Sequence, residues 1–367
     1  MIKQNRIDYL LLTYFGILIV FGLVMLTSAS SAVGQQRFGD AYYFIKSQLI
    51  KGVLPGIVLF IFFSKFDYHK LKNWVWPIFI GMIFLLILVF VPNIGSTFDT
   101  KAHSWIALPW FSFQPSEFAK LGLIIFMSYF LVEKKEKLES FQEGFLPVLI
   151  WAAFPLLLVL LQPDLGTLSI LFVIFFGILY VADIKWQYLL SLILFSIAGF
   201  VVMILLAPYR VNRLMSFLYP EHDPQGVSYH INQAFLAIGS GGLFGRGIGK
   251  SLRKFQYLPE VAADSIFPVI AEELGFFFVI GFIILLFLIA SRGLMISKKA
   301  PDQFGRLLSA GIIIWFVFQS FLNIGAMVGL VPLTGIPLPF VSYGGTSLVV
   351  AMTALGILIN ISKQVKR

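Results

Sequence analysis

Cysteine is absent from the 367-residue chain, which excludes disulfides and thiolate metal sites but does not identify a compartment. Charge is scarce as well: only 12% of residues are Asp, Glu, Lys or Arg, against about 25% in an ordinary soluble domain. A chain of this length would normally form two soluble domains, and so little charge cannot cover their surfaces. Nor does the sequence show the apolar–polar alternation over about ten residues that marks the strands of a membrane barrel. No internal repeat or inverted duplication is visible, which disfavours the commonest secondary-transporter architectures.

What the chain does have is apolar sequence, at 59% hydrophobic residues and a mean hydropathy of +0.90. Apolar windows of roughly 18 to 23 residues recur, each long enough as a helix to cross a hydrocarbon core of about 30 Å. They lie near 8–29, 46–64, 73–92, 115–132, 144–161, 165–183, 186–207, 265–291, 305–328 and 343–362. The expected fold class is therefore all-α: a polytopic membrane protein with about ten transmembrane helices in a single domain, 1–367. The first span is long and has no small-residue cleavage site followed by a soluble domain, so it reads as a retained helix.

The net charge of +9 sits between the spans and not on one soluble face, so nucleic acid is not an expected partner. Starting from Lys3 and Arg6, alternate connections carry Lys65, Lys70 and Lys72, then Lys134, Lys135 and Lys137, then Lys185. Arg292, Lys298, Lys299 and Arg306 follow, and then Lys363, Lys366 and Arg367. By the positive-inside rule these connections are cytoplasmic, which places both termini there. The large connection between the seventh and eighth spans, 208–264, is then extracytoplasmic. It holds Arg210, Arg213, Arg246, Lys250, Arg253 and Lys254, cations suited either to anionic lipid headgroups or to an anionic ligand delivered from the membrane. Within it, Ile238-Gly-Ser-Gly-Gly-Leu-Phe-Gly-Arg-Gly-Ile-Gly-Lys-Ser251 ends like a nucleotide-binding loop, but Phe244 stands where that motif requires glycine. Its glycines fit tight turns, a phosphate-approaching backbone, or plain flexibility.

Ionisable groups at membrane depth are costly and mark cavities or pairs. Glu117 and Lys120 share a helical face; Glu272 and Glu273 sit inside the eighth span; pairing of Lys120 with one of the latter two is an expectation. Gln319 and Asn323, at i and i+4, suit interhelical hydrogen bonding. Asp264 stands at the junction of the basic connection and the eighth span, where a carboxylate fits either a general base or a helix N-cap. Glu260 is a second carboxylate one turn earlier.

Several strings together carry a resemblance along essentially the whole chain. They are Phe113-Gln-Pro-Ser-Glu-Phe-Ala-Lys120, Gln162-Pro-Asp-Leu-Gly-Thr167, Ala237-Ile-Gly-Ser-Gly-Gly242, Tyr257-Leu-Pro-Glu260, Asp264, Glu272-Glu-Leu-Gly275 and Leu338-Pro-Phe-Val-Ser-Tyr-Gly-Gly345. The sequence resembles the SEDS family of bacterial cell-wall proteins, which includes the FtsW and RodA types. The resemblance implies a peptidoglycan glycosyltransferase of the bacterial cytoplasmic membrane that polymerises lipid II on the outer face. It implies work alongside a class B penicillin-binding protein and other divisome or elongasome membrane proteins. Asp264 matches the family's essential aspartate, the proposed base, with undecaprenyl pyrophosphate as leaving group. Lys120, Glu117, Arg210, Arg213, Arg246, Lys250, Lys254, Glu260 and Ser342 become candidates for contact with lipid II or the nascent glycan, and Glu272, Glu273, Gln319 and Asn323 for support. A divalent cation, Mg²⁺ or Mn²⁺, near the pyrophosphate is a further expectation. The strings after Arg213 and Gly249 look like the division-associated FtsW branch, whereas Ile336-Pro-Leu-Pro339 looks more like RodA. Two departures stand out: Ala262-Ala263 where the family often has His-Thr, and His103-Ser104-Trp105 where it often has a basic pair before the tryptophan. The rival readings are a lipid II flippase, with Lys120, Glu272 and Glu273 lining its path, and a non-catalytic division scaffold.

Overall fold

The computed structural model describes residues 7–96, 104–107, 112–205, 208–219, 227–255 and 257–365; the side chains of 208–210, 212, 213 and 227 lie outside the description. All ten expected spans form helices. They are α1 (Tyr9–Phe38), α2 (Tyr43–Lys65), α3 (Tyr68–Leu88), α4 (Pro115–Glu133), α5 (Phe141–Leu161), α6 (Leu165–Val181), α7 (Trp186–Leu205), α10 (Ile266–Lys298), α11 (Gln303–Met327) and α12 (Gly345–Gln364). Two shorter helices, α8 (Pro208–Leu218) and α9 (Val227–Ser240), fall inside the long connection.

Local chemistry sets the ends. Asp8 caps α1 by accepting from the Leu11 N–H, Asp164 caps α6 through Thr167, and Asp302 caps α11 through Gly305. Gly39, at φ 68°, closes α1 in the left-handed conformation. Pro115 opens α4, where its missing N–H costs nothing. At 17 residues α6 is the shortest span, and Ile170, Leu171, Ile174 and Ile178 bury it in the bundle. Helices α4, α11 and α12 form the buried centre, whereas α7 is exposed along nearly its whole length.

The start of α1 and the end of α12 meet at one end of the bundle, as an even number of crossings requires. There Arg292 pairs with Asp8 at 2.9 Å, and the Asp8 N–H donates to the Ser362 hydroxyl. The Tyr68 hydroxyl donates to Asp302 at 2.6 Å beside them. The opposite end holds Asp264, Glu117, Lys120 and the long connection.

Two features differ from the all-helical expectation. Residues between α3 and α4 form a small antiparallel sheet, β1 (Gly95–Ser96), β2 (Trp105–Ala107) and β3 (Ser112–Phe113), with Gly95 opposite Ile106 and Ile106 opposite Phe113. Strands of two or three residues are too short to leave a period in the sequence. His103 lies outside the described residues. The second difference is in α10, which breaks at Gly275 (φ 78°, ψ −179°).

Candidate active site

Asp264 stands two residues before α10 and is 7% exposed. Two segments fix its backbone. Asn323 on α11 donates one amide hydrogen to the Asp264 carbonyl and the other to the Ile336 carbonyl, each at 2.8 Å. The Tyr343 N–H donates to the Ala262 carbonyl at 2.8 Å. Burial, and then the negative charge of Glu260, push the Asp264 carboxyl up to about 7. A carboxylate with that affinity for protons can take one at neutral pH, which a surface aspartate does poorly. The expected N-cap role does not appear: Ser265 holds the cap position of α10.

Gln319, one turn before Asn323, donates to the Pro337 carbonyl at 2.9 Å, so the two amides together pin residues 336–337 to α11. Ser342, expected near substrate, instead accepts from the Leu338 N–H at 2.9 Å and closes its own turn. Gln319 also joins α11 to α4 by accepting from Lys120, whereas both Asn323 bonds go to non-helical carbonyls, and the segment the two amides hold runs past Asp264.

Beside this junction is a cavity of about 410 Å³, lined by Arg37, Tyr229, Tyr257, Glu260, Ala263 and Tyr343 among others. Glu260 holds a positive φ of 46°, a strained backbone for a non-glycine residue. Arg37 was missed in the sequence. Its signal is a cation at the far end of α1, on the side where the positive-inside rule expects few. Arg253 lies over the Tyr257 ring at 5.3 Å and donates to Gln233 at 2.8 Å. Arg246 and Lys250 are exposed at the same end. The side chains of Arg210 and Arg213 lie outside the described residues.

Lys254, expected among the cations facing substrate, is instead buried and paired with Glu273 at 2.9 Å, with Ser28 bonded to both oxygens of that carboxylate. Glu272 accepts from the Ser251 hydroxyl at 2.6 Å and from the Leu252 N–H at 3.1 Å. The expected pairing of Lys120 with Glu272 or Glu273 is not formed. These carboxylates hold residues 251–254, while Lys120 donates to Glu117 at 2.7 Å and to Gln319 at 3.0 Å and lies 5.0 Å over the Trp315 ring. Spacing places groups on a face but does not say which neighbour that face meets. Removing only the cation of a buried pair leaves an uncompensated charge. Lys254→Met is thus expected to lower stability by ~3–5 kcal/mol, and adding Glu273→Gln to recover most of it, read as unfolding midpoints in detergent.

In the glycine-rich segment two of the backbone N–H groups that could face a phosphate are already taken. The N–H groups of Arg246 and Gly247 donate to the Glu272 and Glu273 carbonyls at 3.0 and 2.9 Å. In return Phe276 and Phe277 donate to the Gly242 and Leu243 carbonyls at 3.0 and 3.2 Å. The segment thus satisfies the backbone groups that the break in α10 leaves free, and only glycines permit that approach. Among the described residues no three His, Asp or Glu side chains stand close enough to hold a metal.

A family model described as a cell cycle protein, covering FtsW, RodA and SpoVE, matches residues 8–367. The chain belongs to the FtsW/RodA/SpoVE family. Stage V sporulation protein E of Bacillus subtilis (strain 168) is 39% identical over 363 residues, 98% of each chain. The probable peptidoglycan glycosyltransferase FtsW of Geobacter sp. (strain M18) is 38% identical over 359 residues, 98% of this chain and 97% of that one. Among solved structures, a chain of a peptidoglycan synthase complex that coordinates polymerization and crosslinking superposes with TM-score 0.78 at 27% identity, covering 97% and 98% of the two chains. The rod shape determining protein RodA of Thermus thermophilus gives 0.70 at 26%, covering 99% and 98%. The family's fold is thus shared along the whole bundle, and Asp264 lies within the matched span.

Proposed function

We propose that this protein is a peptidoglycan glycosyltransferase of the FtsW type, which polymerises lipid II during division at the outer face of a bacterial cytoplasmic membrane. The observation that carries the reading is Asp264: a buried carboxyl, pushed up to about 7, at the junction of the basic connection and a span, beside a cavity of about 410 Å³. The names of its FtsW relatives supply the reaction class. In the proposed step the Asp264 carboxylate takes the proton of the acceptor sugar's 4-hydroxyl. The oxygen forms a bond to the anomeric carbon of a second lipid-linked chain. The bond from that carbon to the pyrophosphate oxygen breaks, and its electron pair leaves on undecaprenyl pyrophosphate. Among the described side chains, Arg37 in the cavity lining and Arg246, Lys250 and Arg253 at the same end are cations available to stabilise that charge. A Mg²⁺ or Mn²⁺ ion would supply further positive charge to the leaving group, but among the described residues no three His, Asp or Glu side chains stand together to hold one.

The partner in this reading is a class B penicillin-binding protein, in keeping with the crosslinking named for the structurally similar complex. The flippase reading needs Lys120, Glu272 and Glu273 on one path. They lie instead in two separate clusters, with Lys120 beside Glu117 and the two glutamates beside Ser251 and Lys254. Purified protein incubated with lipid II in detergent, with and without a candidate transpeptidase, is expected to make glycan strands, although no leaflets exist there to exchange between. No polymer under either condition, together with transport of labelled lipid II across sealed vesicles, would overturn the reading.

A further inference from the structure

Ala262 and Ala263 place no polar side chain ahead of Asp264, so the polar contacts of the carboxyl come from elsewhere. Ser265, fully buried, holds its hydroxyl 3.4 Å from Asp264 Oδ1 and 2.7 Å from the Pro259 carbonyl oxygen. The third neighbour of that hydroxyl is Nε2 of His230, reaching across from α9 in hydrogen-bond contact. A serine hydroxyl has one proton to give and two lone pairs to receive with. If His230 donates its Nε2–H, the serine proton is left to choose between the Pro259 carbonyl and the Asp264 carboxylate. An ionised carboxylate is the stronger acceptor, so the proton turns to Asp264 whenever Asp264 is charged. Once Asp264 holds a proton, the hydroxyl turns back to Pro259.

We propose that His230 and Ser265 are positioning residues for Asp264: His230 holds the serine oxygen from behind, and the serine proton keeps Asp264 in the ionised form that can act as base. The proposal rests on the reading of Asp264 as the base of a polymerase. Burial lowers His230 to about 4, so over the working pH range it is a neutral imidazole and not a titrating group, and the proposal assigns it the tautomer that carries the proton on Nε2. The other groups facing the junction are Glu260 on the same segment, Tyr229 on α9, Arg37 on α1, Tyr257 and Tyr343, with the neutral Asn323 on α11. Of these, Glu260 acts on Asp264 in the opposite direction to Ser265: its charge favours the protonated form, the hydroxyl the ionised one.

The test is the acid limb of lipid II polymerisation by the full chain in detergent, with melting curves confirming that each variant is folded. Ser265→Ala is expected to move the limb to higher pH by roughly half to one unit, less than a short hydrogen bond to a charged group would give because this contact is 3.4 Å long. His230→Phe moves it in the same direction, and the double variant goes no further than Ser265→Ala alone. His230→Gln, which keeps an N–H donor, and Ser265→Thr, which keeps the hydroxyl, restore the wild-type limb. Should His230→Phe fail to fold, His230→Asn, too short to reach Ser265, takes its place. A limb that stays put in Ser265→Ala and His230→Phe while the rate drops equally at every pH would assign the pair a purely structural role and overturn the proposal. A wild-type enzyme with no acid limb, or an Asp264→Ala variant that still polymerises, would instead remove the base itself and overturn both readings.

Discussion

Replacing Asp264 with asparagine is expected to slow polymerisation by ~10²–10⁴-fold, the range a positioned general base supplies. Asparagine keeps the volume of the side chain in a site that is 7% exposed, and it leaves the Asn323 contact untouched because that bond is made to the Asp264 backbone carbonyl. What it loses is the capacity to accept a proton. The same substitution has an opposite effect on stability, and the sign follows from the direction of the shift. The Asp264 carboxyl sits at about 7 in the folded protein, above its ordinary value of 3.8, because burial and Glu260 disfavour its charge. The folded state therefore binds the proton more tightly than the unfolded chain does. Its contribution to stability is fully present below the unfolded value and is lost as pH rises through about 7. Asparagine carries no charge at any pH, so Asp264→Asn is expected to melt higher than wild type at pH 8 and close to it at low pH. An inactive variant with a raised melting point at pH 8 would mark Asp264 as a group kept for chemistry at a cost to the fold. Wild-type polymerisation by Asp264→Asn would end the general-base reading.

The spans were legible because a hydrocarbon solvent demands continuous apolar sequence, and that demand acts residue by residue. The span ends followed only from where the apolar windows stop, and local caps such as Asp164 and Asp302 set the terminal residues. Partners across the bundle were not legible. Lys120 shares a face with Glu117 three residues away, but its contact with Gln319 on α11 depends on how α4 and α11 pack, and no spacing in either helix states that. Nothing in the sequence singles out His230, because its partner Ser265 lies 35 residues further on, past the glycine segment. The glycines were visible as a cluster, but the reason for them was not. Their partner is the broken helix at Gly275, which the sequence shows only as one more glycine in an apolar span.

That break carries the second large effect. Gly275→Ala is expected to lower stability by several kcal/mol, seen as loss of the folded protein in detergent or a steep fall in its melting point. The backbone at φ 78° and ψ −179° lies in a region essentially reserved for glycine, worth ~1–3 kcal/mol of strain for any other residue. A Cβ at this position would also stand 2.2 Å from the Gly245 nitrogen and 2.5 Å from the Phe244 carbonyl carbon. Both are backbone atoms, so no rotamer change can relieve the clash and the glycine segment must move away. Moving it breaks the bonds from Arg246 and Gly247 to the Glu272 and Glu273 carbonyls, and those from Phe276 and Phe277 to Gly242 and Leu243. Each backbone group left unpaired at membrane depth costs several kcal/mol, because lipid offers it no partner. Gly281, six residues along in the same helix, provides the control: a Cβ there meets nothing within 4 Å, so Gly281→Ala should be neutral or mildly stabilising. Equal tolerance at both positions would mean that the glycines serve general flexibility. Failure at 275 with tolerance at 281 would mean that the break is a docking site for the glycine segment. Because that segment leads into residues 251–254, held by Glu272 and Glu273, the docking fixes the chain that carries Arg246, Lys250 and Arg253 to the half-helix that begins just after Asp264.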